Sequence, residues 1–209
     1  MRETVLQIST LLGEKYYKIP HGSGLDIYVC PKNVSTTFVS VAVNYGAADR
    51  QFRLAGEKEY TAIPDGTAHF LEHKMFEMED GADAFDYFAE TGADANAFTS
   101  SLTTCYLFSC TEEFEESLAI LLDMVAHPHF TDESVEREKE IIAQEIKMSE
   151  DQPSDALYYG LMQLLYQKNN QRIRVAGTVE SIADITAEPI GLIIGFYYLA
   201  RKLIAEKLF

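Results

Sequence analysis

Cysteine and histidine are scarce in this 209-residue chain, at three and five residues, and its 17 basic residues are outnumbered by 33 acidic ones. Cys30, Cys105 and Cys110 are an odd number without metal-type spacing, which argues against a disulfide framework or a cysteine-rich metal site. Free thiols in a reducing compartment, the cytoplasm by default, are the simplest account. The formal net charge of −16 argues against nucleic acid and anionic membranes as partners and favours basic ones. Also missing is an uninterrupted apolar run of the ~20 residues needed to span a bilayer. The stretch PIGLIIGFYYLARKLIAEKLF from Pro189 to Phe209 holds about a dozen apolar residues before Arg201 and Lys202, which suits a packed or interfacial terminal helix. A truncated or frame-shifted end is the alternative. The N-terminal residues show neither the apolar core nor the cleavage site of a signal peptide. No repeat or low-complexity tract stands out.

What the chain does contain is His69-Phe70-Leu71-Glu72-His73. On a helix, residues four apart share a face, so both imidazoles can aim at one point, with Glu72 beside them. Two histidines and a carboxylate suit Zn²⁺, whose catalytic sites use three protein ligands and keep a fourth position for water. Chance alone produces the pattern in on the order of one chain of this composition in a hundred. A surface helix with two solvated histidines is the competing reading, so a third ligand must be found elsewhere.

Read in order, Tyr16 to Ile19 and Leu25 to Cys30 form a hairpin through a glycine-flanked turn containing His21. Thr36 to Asn44 is expected to be a third, more buried strand. A polar loop over Tyr45 to Ile63 leads to a motif helix from about Asp65 to Phe76. A second helix fits Ala82 to Glu90, with Phe85 and Phe88 on one side and Gly92 as its stop. Strands at Ala95 to Ser100 and Thr103 to Ser109 come next, then helices at about Glu112–Ala126, Asp132–Ser149 and Pro153–Gln167. Paired strands followed by clustered helices predict an α+β fold, helices packed on a largely antiparallel sheet. The expected division is a domain over residues 1–188 and an atypical apolar segment over 189–209.

The helix from Asp132 carries the second clue. At 100° per residue, Val135, Ile142 and Ile146 fall on one side, with Ile141 and Met148 extending the apolar arc. Glu138 and Glu145 lie inside that arc, whereas Glu136, Glu140 and Lys147 lie opposite. Two carboxylates on an apolar face are costly without partners, by several kcal/mol each. A metal with its histidines supplies one, making Glu145 the third ligand and Glu138 a group that orients a ligand or substrate. The alternative is that both reach the edge of the face or pair with Arg137 or Lys139. His127 and His129, at a helix end, suit the helix dipole better than a metal. Tyr158 and Tyr159 read as helix-packing groups, and Cys105 and Cys110 as packing residues.

HFLEH, NAFTS at Asn96–Ser100 and EREKEIIAQE at Glu136–Glu145, in that order, resemble the pitrilysin (insulinase) family of zinc peptidases. Their H-x-x-E-H order is the inverzincin pattern, and the likeness is greatest to bacterial relatives of mitochondrial processing peptidase. It runs from about Tyr16 to Ile185. The resemblance implies that His69, His73 and Glu145 hold zinc, that Glu72 is the general base and that Glu138 supports it. It also implies that Asn96, Ala97, Phe98 and Thr99 bind extended substrate backbone by strand addition. Lys74 departs from the apolar residue often found there, a change not expected to disturb the metal. Members of the family form a clamshell of two homologous halves, each of two α+β domains, and this chain matches the first domain of the metal-bearing half. The expected function is zinc-dependent peptide hydrolysis with a second half or subunit as partner. The alternative is a non-catalytic binding or assembly module of the same fold.

Overall fold

The structure, a computed structural model, describes residues 5–8, 13–21, 25–53 and 58–187. The contacts divide the chain at Thr36/Thr37 into two compact units. The expected boundary at residue 188, the apolar segment beyond it and the turn residues 22–24 lie outside the described residues.

In the first unit β1 (Val5–Ile8), β2 (Lys15–Pro20) and β3 (Asp26–Val29) form an antiparallel sheet in the order β1-β2-β3. The hairpin expected from the sequence is β2–β3, with Tyr17 opposite Val29 and Ile19 opposite Ile27. The strand β1, which no periodicity announced, adds to it with Leu6 opposite Tyr17.

The second unit holds the motif. Its sheet has the order β4-β8-β7, with β4 at Thr37–Val43, β7 at Asp94–Thr99 and β8 at Thr104–Cys110. Both pairings are antiparallel, Val41 and Ala97 each standing opposite Tyr106. Contrary to expectation, the buried strand is β8 rather than β4. Tyr106, Phe108 and Cys110 are buried, whereas Phe38 is exposed and Val39, Val41 and Val43 are only half-buried. The reason is position: β8 has neighbours on both sides, and β4 closes one margin of the sheet. The loop between β4 and the motif also differs, since Gln51–Phe52 (β5) and Thr61–Ala62 (β6) pair as a short ladder.

Helix α1 (Thr67–Lys74) packs against β7 and α4. It starts two residues later than the sequence suggested, because Gly66 takes φ +92°. A Cβ there would lie 2.5 Å from the Ala176 carbonyl oxygen, so glycine alone permits this close approach. Helix α2 (Ala84–Glu90) is capped by Asp83, whose carboxylate accepts from the Phe85 amide. Phe88 is buried against Phe108, while Phe85 is exposed on one side and stacks on Phe76 at 4.4 Å. Helices α3 (Phe114–Ala126), α4 (Asp132–Glu150), α5 (Pro153–Leu165) and α6 (Val179–Ala183) complete the unit. The result is an α+β fold with antiparallel sheets. Tyr158 departs from its expected packing role: it is half exposed, whereas the Tyr159 hydroxyl accepts from the Val175 amide and its ring lies under Arg174. The cysteines are unpaired thiols, and burial raises the Cys105 pKa. Among the described residues no helix is long and apolar enough to cross a membrane.

Candidate metal centre

Helix α1 is short, and most of it is buried: Ala68, Phe70 and Leu71 point into the core. The 3.6-residue repeat leaves His69, Glu72 and His73 on the remaining face, toward α4. Their rings lie 4.6 Å apart at 66°. Helix α4 begins in a reciprocal cap, Thr131 accepting from the Ser134 amide and Ser134 accepting from the Thr131 amide. Val135, Ile142 and Ile146, which recur at seven and four, anchor it. The apolar stripe is narrower than the sequence arc suggested, since Ile141 and Met148 are exposed. The carboxylates therefore stand at the stripe's margin rather than within it. The Glu138 side chain is 15% exposed and that of Glu145 48%.

Those two carboxylates meet the two imidazoles. His69 Nε2 lies 3.2 Å and His73 Nε2 3.5 Å from Glu145 Oε2. His73 Nδ1 lies 2.9 Å from Glu138 Oε1. An ionised carboxylate can only accept, so this hydrogen bond puts a proton on Nδ1 and leaves Nε2 as the nitrogen that faces Glu145. Pairing of these carboxylates with Arg137 or Lys139 is not what the structure has. Lys139 bonds Glu136 and the Ala183 carbonyl, and Arg137 approaches Glu77 at 3.9 Å. Lys74 is buried and ion-paired with Glu77, so its charge is neutralised away from the histidine face.

The donor set suits a metal ion. One ligand atom each from His69, His73 and Glu145 lie within 4.8 Å of one another. Tetrahedral zinc with bonds of ~2.0–2.2 Å sets its ligand atoms about 3.4 Å apart, close to the 3.2 and 3.5 Å that separate Glu145 Oε2 from the two histidine nitrogens. Without metal, burial opposes the imidazolium of His69, but hydrogen bonds with Glu145 and Glu72 outweigh it and raise the pKa to about 9. The same hydrogen bond lowers the Glu145 pKa.

Glu72 is buried beside the cluster, its Oε2 3.5 Å from His69 Nδ1. That oxygen also accepts the Thr99 hydroxyl at 2.5 Å. This link spans 27 residues, and no local pattern announces it. The strand β7 stands at one margin of its sheet and alternates exposed Asn96 and Phe98 with half-buried Ala97 and Thr99. The Ala97 amide donates to Asn96 Oδ1 at 2.8 Å. His127 pairs with Asp123 at the end of α3, apart from this cluster.

The fold is that of a peptidase domain, shared with solved structures of that class. An M16-like peptidase from Alicyclobacillus acidocaldarius is 40% identical, with a TM-score of 0.84 over 90% of this chain and 44% of its own. Pitrilysin has a TM-score of 0.71 at 16% identity, a likeness of fold alone, over 95% of this chain and 21% of its own. The uncharacterized zinc protease YmfH of Bacillus subtilis is 47% identical over 178 residues, covering 85% of this chain and 41% of that protein. The insulinase family, peptidase family M16, matches residues 55–179, and the chain belongs to that family. It spans about two fifths of the length of these full-length bacterial relatives.

Proposed function

We propose that this chain is the metal-bearing module of a zinc metalloendopeptidase, with His69, His73 and Glu145 as ligands. The observation that carries the reading is the convergence of three donor atoms from two helices beside a buried fourth group, Glu72. The zinc protease names of its relatives support it. Zinc bound there supplies Lewis acidity, acidifying a water and polarising the scissile carbonyl. Glu72 takes a proton from the attacking water and delivers it to the leaving amine. Glu138 holds the His73 ring through Nδ1, keeping Nε2 directed at the ligand site. Substrate backbone adds along β7 at Asn96–Thr99 once the Ala97 amide is released from Asn96. The charge of −16 draws in basic or unfolded peptides, and the free thiols support a reducing compartment, the cytoplasm, as its location.

Productive geometry also needs the substrate held and shielded, which contributes ~7–11 kcal/mol in well-oriented systems. A second pitrilysin-like half provides that enclosure, so the chain alone binds zinc and cleaves poorly. The decisive experiment measures zinc content and cleavage of an unstructured peptide, alone and with a partner half, for the parent and Glu72→Gln. The expected result is retained zinc in both and a roughly 10²–10⁴-fold loss of cleavage in the variant. Equal cleavage by both would remove Glu72 from its role. The rival reading is a binding or assembly module; peptide binding without cleavage by parent and variant, with or without the partner, would establish it.

A further inference from the structure

The geometry points to Thr99 as a positioning residue that orients the Glu72 carboxylate through its side-chain hydroxyl; this inference rests on the role proposed for Glu72. Three features of the surrounding structure direct that single hydroxyl proton to Glu72. Thr99 closes β7 opposite Thr104 across a tight hairpin, in which Ser100 and Thr103 bond each other through backbone and side chain. The hairpin is tied to the loop after β4: the Ala47 and Ala48 amides donate to the carbonyls of Ser100 and Ser101. Gly46 lies so close that a Cβ there would stand 2.5 Å from the Leu102 amide nitrogen, which leaves the hairpin little room to shift. Finally, Thr104 is spoken for. Its hydroxyl donates to the Tyr45 carbonyl at 2.9 Å, in a buried place, and its oxygen is 3.5 Å from Thr99 Oγ1. Of the two acceptors open to Thr99, Glu72 Oε2 at 2.5 Å is the nearer by 1 Å and carries the charge.

The consequence for the reaction is a fixed orientation of the base. Oε2 is occupied by Thr99 and neighbours His69. Held at Oε2, the carboxylate keeps one orientation as it accepts the proton from the attacking water and returns it to the leaving amine. With its hydroxyl committed to Glu72, Thr99 contributes to substrate binding through its backbone alone. The side chain and the backbone of one residue thus serve the base and the substrate separately.

The test compares Thr99→Val, which keeps the shape and removes the donor, with Thr99→Ser, which keeps the donor. Each is made in the parent and in a Glu72→Gln background. Zinc-loaded full-length chains are crystallised, and cleavage of an unstructured fluorogenic peptide is followed with the partner half present. In Thr99→Val the Glu72 carboxylate leaves its place, zinc content is unchanged, and kcat falls roughly 10- to 100-fold at constant KM, as expected for loss of a hydrogen bond to a charged group. Thr99→Ser restores both position and rate. In the Glu72→Gln background Thr99→Val costs nothing further, because it acts through Glu72. The inference is overturned if Glu72 keeps its position in Thr99→Val, or if the valine raises KM or slows Glu72→Gln by the same factor as the parent. Failure of the base assignment reads differently: Glu72→Gln would cleave like the parent. The position of the carboxylate in Thr99→Val still decides the question in that case, and also if no form cleaves.

Discussion

The two helices that build the proposed metal centre are opposites. Helix α1 has eight residues, six of them buried with Glu72 among these, and presents His69, Glu72 and His73 on one face. Helix α4 has 19 residues, four of them buried, and reaches the same point with the half-exposed Glu145. A short, enclosed helix cannot shift without disturbing Phe70 and Leu71, so its donors inherit the rigidity of the core. A long, partly exposed helix holds its donor only through a narrow stripe, and needs cap and neighbours to set the approach. The centre therefore combines a rigid side with a more adjustable one.

The largest test of this contrast is His73→Ala. Zinc affinity should fall by more than about 100-fold, the upper end for groups that merely orient a ligand. A competition titration with a chelator measures it, and a smaller loss would show that α1 does not dominate. Next comes stability along α4. Ile142→Ala should cost about 2–5 kcal/mol in chemical denaturation, since the side chain is fully buried. Met148→Ala, at 68% exposure, should stay within about 0.5 kcal/mol. Similar costs at the two sites would mean that the stripe is wider than described.

Glu138→Gln should weaken zinc binding by roughly 10–100-fold while leaving the fold intact, through loss of control over the His73 ring. An unchanged affinity would assign Glu138 to α4 alone. The smallest effect concerns protons. In the metal-free protein His69 has its pKa raised to about 9 by Glu145 and Glu72 against the opposing effect of burial. A raised folded pKa stabilises the protein fully below the ordinary value near 6.5 and loses that contribution as pH rises through 9. At pH 7 zinc must displace that proton, so binding should release about one proton from His69. Calorimetry in buffers of different ionisation enthalpy reads the number, and no release at pH 7 would contradict it.

Helical periodicity is local, and so the sequence alone determined which side chains share a face: His69, Glu72 and His73 on α1, Glu138 and Glu145 on α4. The hairpin β2–β3, the α+β class and the starts of α4 and α5 were legible for the same reason, written in turn and cap residues a few positions apart. Tertiary structure decided which faces meet. It brought Glu145 to within 3.2 Å of a histidine 76 residues away, and placed Glu138 on His73 instead of Arg137 or Lys139. It joined β4 to β8, left Ile141 and Met148 in solvent, and buried Lys74 on Glu77. It also turned the Thr99 hydroxyl onto Glu72. The distant pairings among these depend on closing a long loop, and the rest on what else competes for the same neighbour, and neither is encoded in the spacing of nearby residues.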